Sequence, residues 1–520
     1  MMTMFPLKAA QERGRQMSNS FMMLAPVVIF FVVLMGMGFY IQKRSSDARA
    51  ENYSKDYYIG GRSLGGFVLA MTLVATYSSV SSFLSGPGVA WQKGFGWVYY
   101  ASTQVVAAFL VLGVLGKKMA VVGRKTDSVT AVDIIRNRYQ SDLLATISAI
   151  VIIVFFTTQM IGQFVGGAQI FSAATGLSYE AGLIIFAIVV VLYTTVGGFN
   201  AVAITDTACA IMMLIGMFCL AYAIISKGGG LANIMTTINE TSNVARTTGE
   251  GFDMVAPTAS GSIPVQLFIT QWMLCGVCTI GLPQTNVRCL AYKDTKSVHR
   301  AMMYGTIVVG AMMVGMHLLG VLARGVLISI PEGASTDTVV PTLISQYMHP
   351  VLAGLTIIGP LAATMSTISS LLIAGSSAIV KDIYLHHKEA KKEPVNQSFV
   401  GKISIGMTGI MGIVAVVLSI NPPDIIVWIN MFAFGGLQAA FFWIFLLGLF
   451  WKKANRSGAL WCIIGGLGSY IFVYITGITI GAFHNIIVGI VVGLVCFIIG
   501  ANVGKPVDEK IGKIFFPEKY

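Results

Sequence analysis

The stretch "LAMTLVATYSSVSSFLSGPG", residues 69–88, decides the fold, because it joins the hydrophobicity of a membrane span to residues that interrupt a helix. It contains eight hydroxyl-bearing side chains and ends in Gly-Pro-Gly. Residues 272–290, "WMLCGVCTIGLPQTNVRCL", form a second interrupted span. Two Gly- or Pro-interrupted spans at matching places are typical of transporters built from inverted repeats, in which unwound backbone binds ions at mid-membrane. The spacing predicts two repeats of five helices, although Gly and Pro are also common in ordinary membrane helices.

The composition of the chain is that of a membrane protein. Hydrophobic residues make up 55% of the 520 residues and charged residues only 11%, a balance that excludes a water-soluble globular domain. Thirteen apolar runs are each long enough to cross a bilayer as a helix. These runs lie at 21–41, 64–90, 97–116, 143–170, 180–196, 201–226, 264–283, 301–328, 350–378, 403–420, 425–450, 457–477 and 485–501. The predicted fold class is an all-α integral membrane protein with about 13 transmembrane helices.

The whole chain, 1–520, is predicted to be one transmembrane transporter domain. Its parts are an extra N-terminal helix (21–41), a first five-helix repeat (64–226), a second five-helix repeat (264–450), two C-terminal helices (457–501) and a cytoplasmic tail (502–520). The tail is too short for a signalling domain, which disfavours a membrane sensor. A channel is left open by the residues alone, but the pair of interrupted helices favours a gated transport cycle.

The basic residues predict the orientation. Alternate connecting segments hold 27 of the 34 Lys and Arg residues, and cytoplasmic loops retain such residues. We therefore expect the N-terminus outside and the C-terminus in the cytoplasm, in a bacterial cytoplasmic membrane. The net charge of +12 then reflects topology and contact with membrane lipid, and no nucleic-acid partner is expected. For residues 1–20 a retained segment is preferred to a signal peptide, because no small-residue cleavage site follows the long apolar run.

A second apolar segment, "LAATMSTISS" at 361–370, places five hydroxyl groups within seven positions. Isolated hydroxyls in membrane helices usually bond to their own backbone or to a neighbouring helix, which accounts for one or two of them. On a helix, residues 366, 369 and 370 share a face. Hydroxyls and freed carbonyls together predict a neutral oxygen cage for a monovalent cation, with sodium the first choice, because a divalent cation needs more carboxylates.

Three ionisable residues invite a functional interpretation. Asp206 lies deep in a span, where a charge is costly unless paired, although a wet position near the cytoplasmic interface would also explain it. His317 is equally compatible with a helix-packing hydrogen bond and with a solute contact. Arg288 follows the end of a span, so a positive-inside anchor is favoured over a counter-ion for a solute carboxylate.

Sequence features of enzymes and metal sites are weak. The seven cysteines include one CxxC pair, Cys275 and Cys278, without a second pair, so packing roles are favoured over a metal site. An intramembrane hydrolase would need a second carboxylate paired with Asp206 or a metal motif such as HExxH, and the sequence shows neither. We expect no enzyme activity and no cofactor other than a coupling ion.

Five stretches carry a resemblance to a known family: "YYIGGRSLGGFVLAMTLVATYSSVSSFLSGPG" (57–88), "LYTTVGGFNAVAITD" (192–206), "GLPQTNVRCLAYKDTKSVHR" (281–300), "AATMSTISSLLIAGSSAIVKDIY" (362–384) and "KKANRSGAL" (452–460). The chain resembles the sodium:solute symporter family over essentially its whole length. The resemblance implies a leucine-transporter-type fold with a five-plus-five inverted repeat that works by alternating access.

The resemblance also implies ion sites. One sodium is held by backbone carbonyls of the first interrupted helix and by a carbonyl and two hydroxyls of the eighth core helix; the matching residues are Ala75, Ser78, Ala363, Ser366 and Thr367. Some members hold a further sodium, and the matching residues are Asp206, Ser369 and Ser370. The chemistry of those three residues slightly favours two sodium ions per cycle over one.

The resemblance extends to the solute, for which it implies pantothenate; proline and short monocarboxylates are the alternatives. The solute is expected beside the sodium site, lined by Tyr77, Ser79, Ser82, Gln284 and Gln438, with Gln284 as an inner gate. Tyr77 stands where the proline-transporting branch has an Asp, so contacts through that carboxylate do not carry over. The oligomeric state is left open.

Overall fold

The computed structural model describes residues 5–46, 57–421 and 426–517. In these ranges, ten continuous apolar helices, two bent helix pairs and one shorter apolar helix account for all thirteen predicted spans. In chain order they are α1 (Phe5–Ser46), α2 (Gly66–Tyr77 and Ser81–Lys93), α3 (Phe95–Lys125), α4 (Asp142–Thr175), α5 (Tyr179–Thr195), α6 (Gly197–Lys227), α7 (Val265–Gly281 and Pro283–Ala291), α8 (Thr295–Gly325), α9 (Pro350–Ala390), α10 (Gln397–Leu418), α11 (Ile426–Phe450), α12 (Arg456–Thr476) and α13 (Ile486–Val503).

Both interruptions fall where the sequence predicts them. The two halves of α2 meet at 70° and those of α7 at 51°. In α2 the helix ends before Ser78, whose backbone is extended with φ −77° and ψ 98°. In α7 Leu282 is extended and Pro283 opens the second half, a position at which its missing N–H costs nothing. The broken halves therefore leave backbone groups without intrahelical partners in the middle of the bundle.

The helix α9, which carries the hydroxyl-rich segment, lies at the centre of the bundle. Every residue from 356 to 373 is buried. Its neighbours include α1, α4, α5, α6, α10 and the first half of α2. A helix that is buried all round has no lipid-facing side, so each of its hydroxyls faces another part of the protein.

The basic connecting segments meet at one end of the bundle, here called the basic end. Arg62 donates hydrogen bonds to the carbonyl oxygens of Gly123 and Ser128 at 3.0 and 2.8 Å. Arg124 donates to the carbonyl oxygen of Tyr292 at 2.9 Å. Further contacts at this end join Arg136 to Asp382 and Arg138 to Gly448. Described residues of four segments predicted to be cytoplasmic, 42–63, 117–141, 284–300 and 379–402, therefore lie on the same side of the bundle.

A close helix crossing gives a test of the packing. A Cβ atom on Gly320 in α8 would overlap the backbone of Pro87 in the second half of α2. Because backbone cannot move aside cheaply, we expect Gly320→Ala to destabilise the protein by about 1–3 kcal/mol and to lower its melting temperature in detergent. Gly468 in α12 has no atom within 4 Å of such a Cβ, so Gly468→Ala should keep or raise that temperature. Equal melting temperatures for the two variants would contradict the crossing.

Candidate functional site

The break in α2 touches the centre of α9 through Ser366. Its hydroxyl lies 3.0 Å from the carbonyl oxygen of Ala75 and 3.1 Å from that of Ala363. The Thr367 hydroxyl donates to the same Ala363 carbonyl at 2.9 Å. All four residues have an exposed fraction of 0%. Four of the five residues predicted to bind sodium thus form one buried cluster of hydroxyl and carbonyl oxygens.

The fifth residue, Ser78, lies at the break itself. Its N–H donates to Val74 at 2.8 Å and closes the first half of α2, and its hydroxyl contacts the Met312 sulfur at 3.6 Å. Because a helix end leaves its last carbonyls without intrahelical partners, the break frees backbone oxygens of the final turn, to which Ala75 belongs. The cluster is neutral and consists of hard oxygen donors, a set that suits a monovalent hard cation.

Arg288 is buried, which makes the anchor interpretation wrong. Its side chain is 2% exposed and lies 3.5 Å from the Oδ2 atom of Asp206. Its Nη2 atom lies 2.8 Å from the Ser370 hydroxyl, 3.2 Å from the Thr72 hydroxyl and within hydrogen-bond reach of the Thr76 hydroxyl. The second half of α7 packs against the first half of α2, so a residue beyond the break stays inside the bundle. Arg288 is the counter-ion of a carboxylate of the chain itself.

Asp206 is equally enclosed, so it is not a wet residue at the interface. Its exposed fraction is 0%, and its Oδ2 atom accepts a hydrogen bond of 2.7 Å from Thr72. Of the three residues predicted for a second sodium, Asp206 and Ser370 meet around the Arg288 guanidinium. The third, Ser369, donates its hydroxyl to the Ser366 carbonyl at 3.0 Å.

A narrow cavity extends from the break toward the end of the bundle opposite the basic end. About 40 Å³ is accessible to the centre of a water molecule, and the walls include Tyr77, Ser79 and Ser82 from the predicted solute site. The Tyr77 hydroxyl crosses to α7 and donates to the Cys275 carbonyl at 2.6 Å. This space is well below the roughly 300–1,000 Å³ of a typical ligand pocket, so a solute requires the walls to separate.

The two glutamines predicted for the solute site do not line this cavity. The Gln438 amide nitrogen donates to the Leu274 carbonyl at 2.6 Å, and that of Gln284 donates to Gln159 at 3.3 Å on the side of the basic end. Gln284 instead lies beside Arg288. The structure thus brings Tyr77 and the two serines together in the cavity wall, and neither glutamine belongs to that wall.

Several cavity residues carry no distinguishing sequence pattern. Trp97 and Tyr100 of α3 stack with ring centroids 4.5 Å apart, and with Asn430 of α11 they complete the walls. Their local sequences are ordinary apolar runs, so nothing in the spacing could have found them.

His317 makes its hydrogen bond within its own helix, and its ring faces the cavity. Its Nδ1 atom lies 2.5 Å from the Met313 carbonyl, which can only accept, so Nδ1 carries the proton. The ring also lines the cavity, where a Cβ on Gly86 would overlap Nε2. In the neutral ring Nε2 is a hydrogen-bond acceptor, and the glycine makes room for it.

Two interrupted helices pack against a buried, hydroxyl-rich central helix, α2 through the oxygen cluster and α7 through Arg288. This arrangement and the fold define the class of the protein, a membrane transporter of the leucine-transporter type with a five-plus-five inverted repeat. The chain belongs to the sodium:solute symporter family, whose model matches residues 57–466.

Two bacterial proteins are similar to the chain over nearly their whole length. The sodium/pantothenate symporter of Haemophilus influenzae is 39% identical over 491 residues, covering 94% of this chain and 97% of that one. The sodium/pantothenate symporter of Escherichia coli is 39% identical over 487 residues, with the same coverage. The solved structure of a Na⁺-coupled sialic acid symporter in a substrate-bound outward-open state superposes with a TM-score of 0.77 at 20% identity, covering 94% of this chain and 98% of that one. The similarity to this solved structure shows the fold alone.

Proposed function

We propose that the chain is a secondary active symporter that imports pantothenate across a bacterial cytoplasmic membrane, driven by the sodium gradient. The observation that carries the proposal is the contact of the Ser366 hydroxyl with the Ala75 carbonyl at the break of α2. The sodium/pantothenate symporters at 39% identity support the choice of solute. In the proposed orientation the basic end faces the cytoplasm, since it gathers most of the Lys and Arg residues.

Sodium in this proposal is bound by oxygen atoms of Ala75, Ser78, Ala363, Ser366 and Thr367. These ligands belong to two different helices, α2 and α9. An ion that binds both helices stabilises only the arrangement in which they touch. Since Tyr77 and Ser79 flank the ligand Ser78 and line the cavity, the ion also fixes the wall that meets the solute. This shared wall is the proposed basis of coupling.

The solute in this proposal enters the cavity from the end opposite the basic end. Pantothenate offers a carboxylate, hydroxyls and an amide, and the walls offer hydroxyls of Tyr77, Ser79 and Ser82. These neutral groups do not repel an anion. The Oε1 atoms of Gln284 and Gln438 have no hydrogen-bond partner within the described part of the chain, so both amides have an acceptor free for the solute as the walls separate.

Uptake by liposomes tests the function. The purified protein is reconstituted, and accumulation of labelled pantothenate is compared under an inward sodium gradient and under matched potassium and proton gradients. We expect accumulation with sodium alone. Sodium-dependent uptake of proline or of a short monocarboxylate, without uptake of pantothenate, would agree with sodium as the coupling ion. It would refute pantothenate as the solute.

His317 gives a prediction for solute recognition. If Nε2 accepts a hydrogen bond from a hydroxyl or amide of the solute, His317→Phe should raise the KM for pantothenate about tenfold, the effect of one hydrogen bond of about 1.4 kcal/mol. The sodium concentration for half-maximal uptake should not change. His317→Gln retains an acceptor and should lie between the wild type and the Phe variant. An unchanged KM in His317→Phe would exclude this contact.

A further inference from the structure

The carboxylate of Asp206 already has a cation of the chain as its partner. The Nη2 atom of Arg288 lies 3.5 Å from Asp206 Oδ2, and the two side chains are 2% and 1% exposed. The same nitrogen donates to Ser370 at 2.8 Å and also to Thr76. The guanidinium therefore stands where the family resemblance placed a second sodium ion.

The remaining nitrogens of Arg288 hold it in this position. Nη1 donates to the Gln284 carbonyl at 2.6 Å, and Nε donates to the Thr72 carbonyl at 3.3 Å. An arginine stays protonated in proteins, so the guanidinium supplies one permanent positive charge to one buried carboxylate. A sodium ion added beside it would bring a second, uncompensated charge into the membrane interior, which is unfavourable.

We propose that Arg288 is the resident cation of the Asp206 site, so that no second sodium binds there and one sodium accompanies each solute molecule. The proposal deepens the proposed function and rests on it for the identity of the solute. The number of sodium ions that the protein binds does not depend on that identity. The single-sodium stoichiometry differs from the two ions that the sequence favours.

Removal of the guanidinium should create the missing sodium site. Asp206 Oδ1 accepts no hydrogen bond from the described residues, and Oδ2 would lose its charged partner. In Arg288→Ala the Oδ1 atom is then open to an ion, and Oδ2 keeps only its hydrogen bond from Thr72. The Thr76 and Ser370 hydroxyls, which are 2.9 Å apart, lie beside the carboxylate. The double variant Asp206→Asn with Arg288→Gln removes both charges and leaves no site for a cation.

Equilibrium binding of radioactive sodium to the purified protein, without solute, counts the sites directly. We expect one ion per wild-type chain, two per Arg288→Ala chain and one per chain of the neutral double variant. Two ions on the wild type would overturn the proposal, and so would a single ion on folded Arg288→Ala. The wild-type count decides the question even if Arg288→Ala does not fold.

The membrane potential gives an independent readout. One sodium with a monoanionic solute moves no net charge, so an imposed potential should leave the accumulation ratio of wild-type liposomes unchanged. Two sodium ions would move one net charge and change that ratio about fifty-fold per 100 mV. A protein that binds one sodium but carries no pantothenate would refute the proposed solute and leave this inference standing.

Discussion

Alanine at both Ser366 and Thr367 should abolish sodium-dependent accumulation of the solute. The variant removes two of the five proposed sodium ligands and leaves only backbone carbonyls. If each hydroxyl contributes about 1.5–3 kcal/mol to a charged partner, the affinity for sodium falls by more than about a hundredfold. The measurement is the sodium concentration for half-maximal uptake, together with equilibrium binding of radioactive sodium.

The same helix supplies a matched control. Thr364 donates to the Pro360 carbonyl at 2.7 Å, and Ser376 donates to the Ile373 carbonyl at 3.0 Å. Both residues are fully buried, and each hydroxyl bonds to its own helix. Thr364→Ala with Ser376→Ala therefore removes the same two groups without touching the break of α2. Equal loss of sodium affinity in both double variants would mean that the effect is structural and would remove the support for the site.

The two interruptions and the hydroxyl-rich face of α9 could be predicted because they depend on local chemistry. Gly, Pro and a run of small polar residues end a helix wherever it lies, and the helical period fixes which hydroxyls share a face. Ser366 and Ala75 are 291 residues apart in sequence. Their contact is predicted only through the family resemblance, because helical periodicity says nothing about which helices pack together.

Arg288 shows where reasoning from linear sequence fails. A basic residue beyond the end of a span ordinarily lies at the membrane surface, because the chain has left the bilayer. Here the chain bends by 51° and continues as a second buried half-helix, so the same residue stays inside. The predicted interruption of α7 was correct, but the sequence did not reveal that the segment beyond it stays buried.

The aromatic walls of the cavity depend on tertiary packing alone. Trp97 meets both Tyr100 on its own helix and Trp428 on α11. Aromatic residues are frequent in membrane helices and at their ends, so their type does not distinguish a cavity wall from a lipid contact. Only the relative position of α3 and α11 makes the distinction.

A disulfide between Leu64→Cys and Tyr292→Cys should stop transport completely. These residues form a parallel β-bridge at the basic end, in which the Lys293 N–H donates to the Leu64 carbonyl at 3.0 Å and the Leu64 N–H to the Ala291 carbonyl at 3.2 Å. Bridged backbones lie roughly 5 Å apart, within the Cα separation that a disulfide spans. The bridge joins the segments next to the broken halves of α2 and α7, which must separate for the solute to leave at the basic end.

The same protein preparation can be measured with the disulfide formed and with it reduced, so the reduced protein is the control for the oxidised one. Under oxidant we expect no accumulation in liposomes, and full recovery after reductant. Sodium binding should persist in the oxidised protein, because Ala75 and Ser366 remain in contact when the basic end is closed. The seven native cysteines are free, so the wild type and each single variant serve as controls under oxidant. Transport by a fully crosslinked protein would mean that the solute leaves by another route, and the closed bridge would then be a static part of the fold.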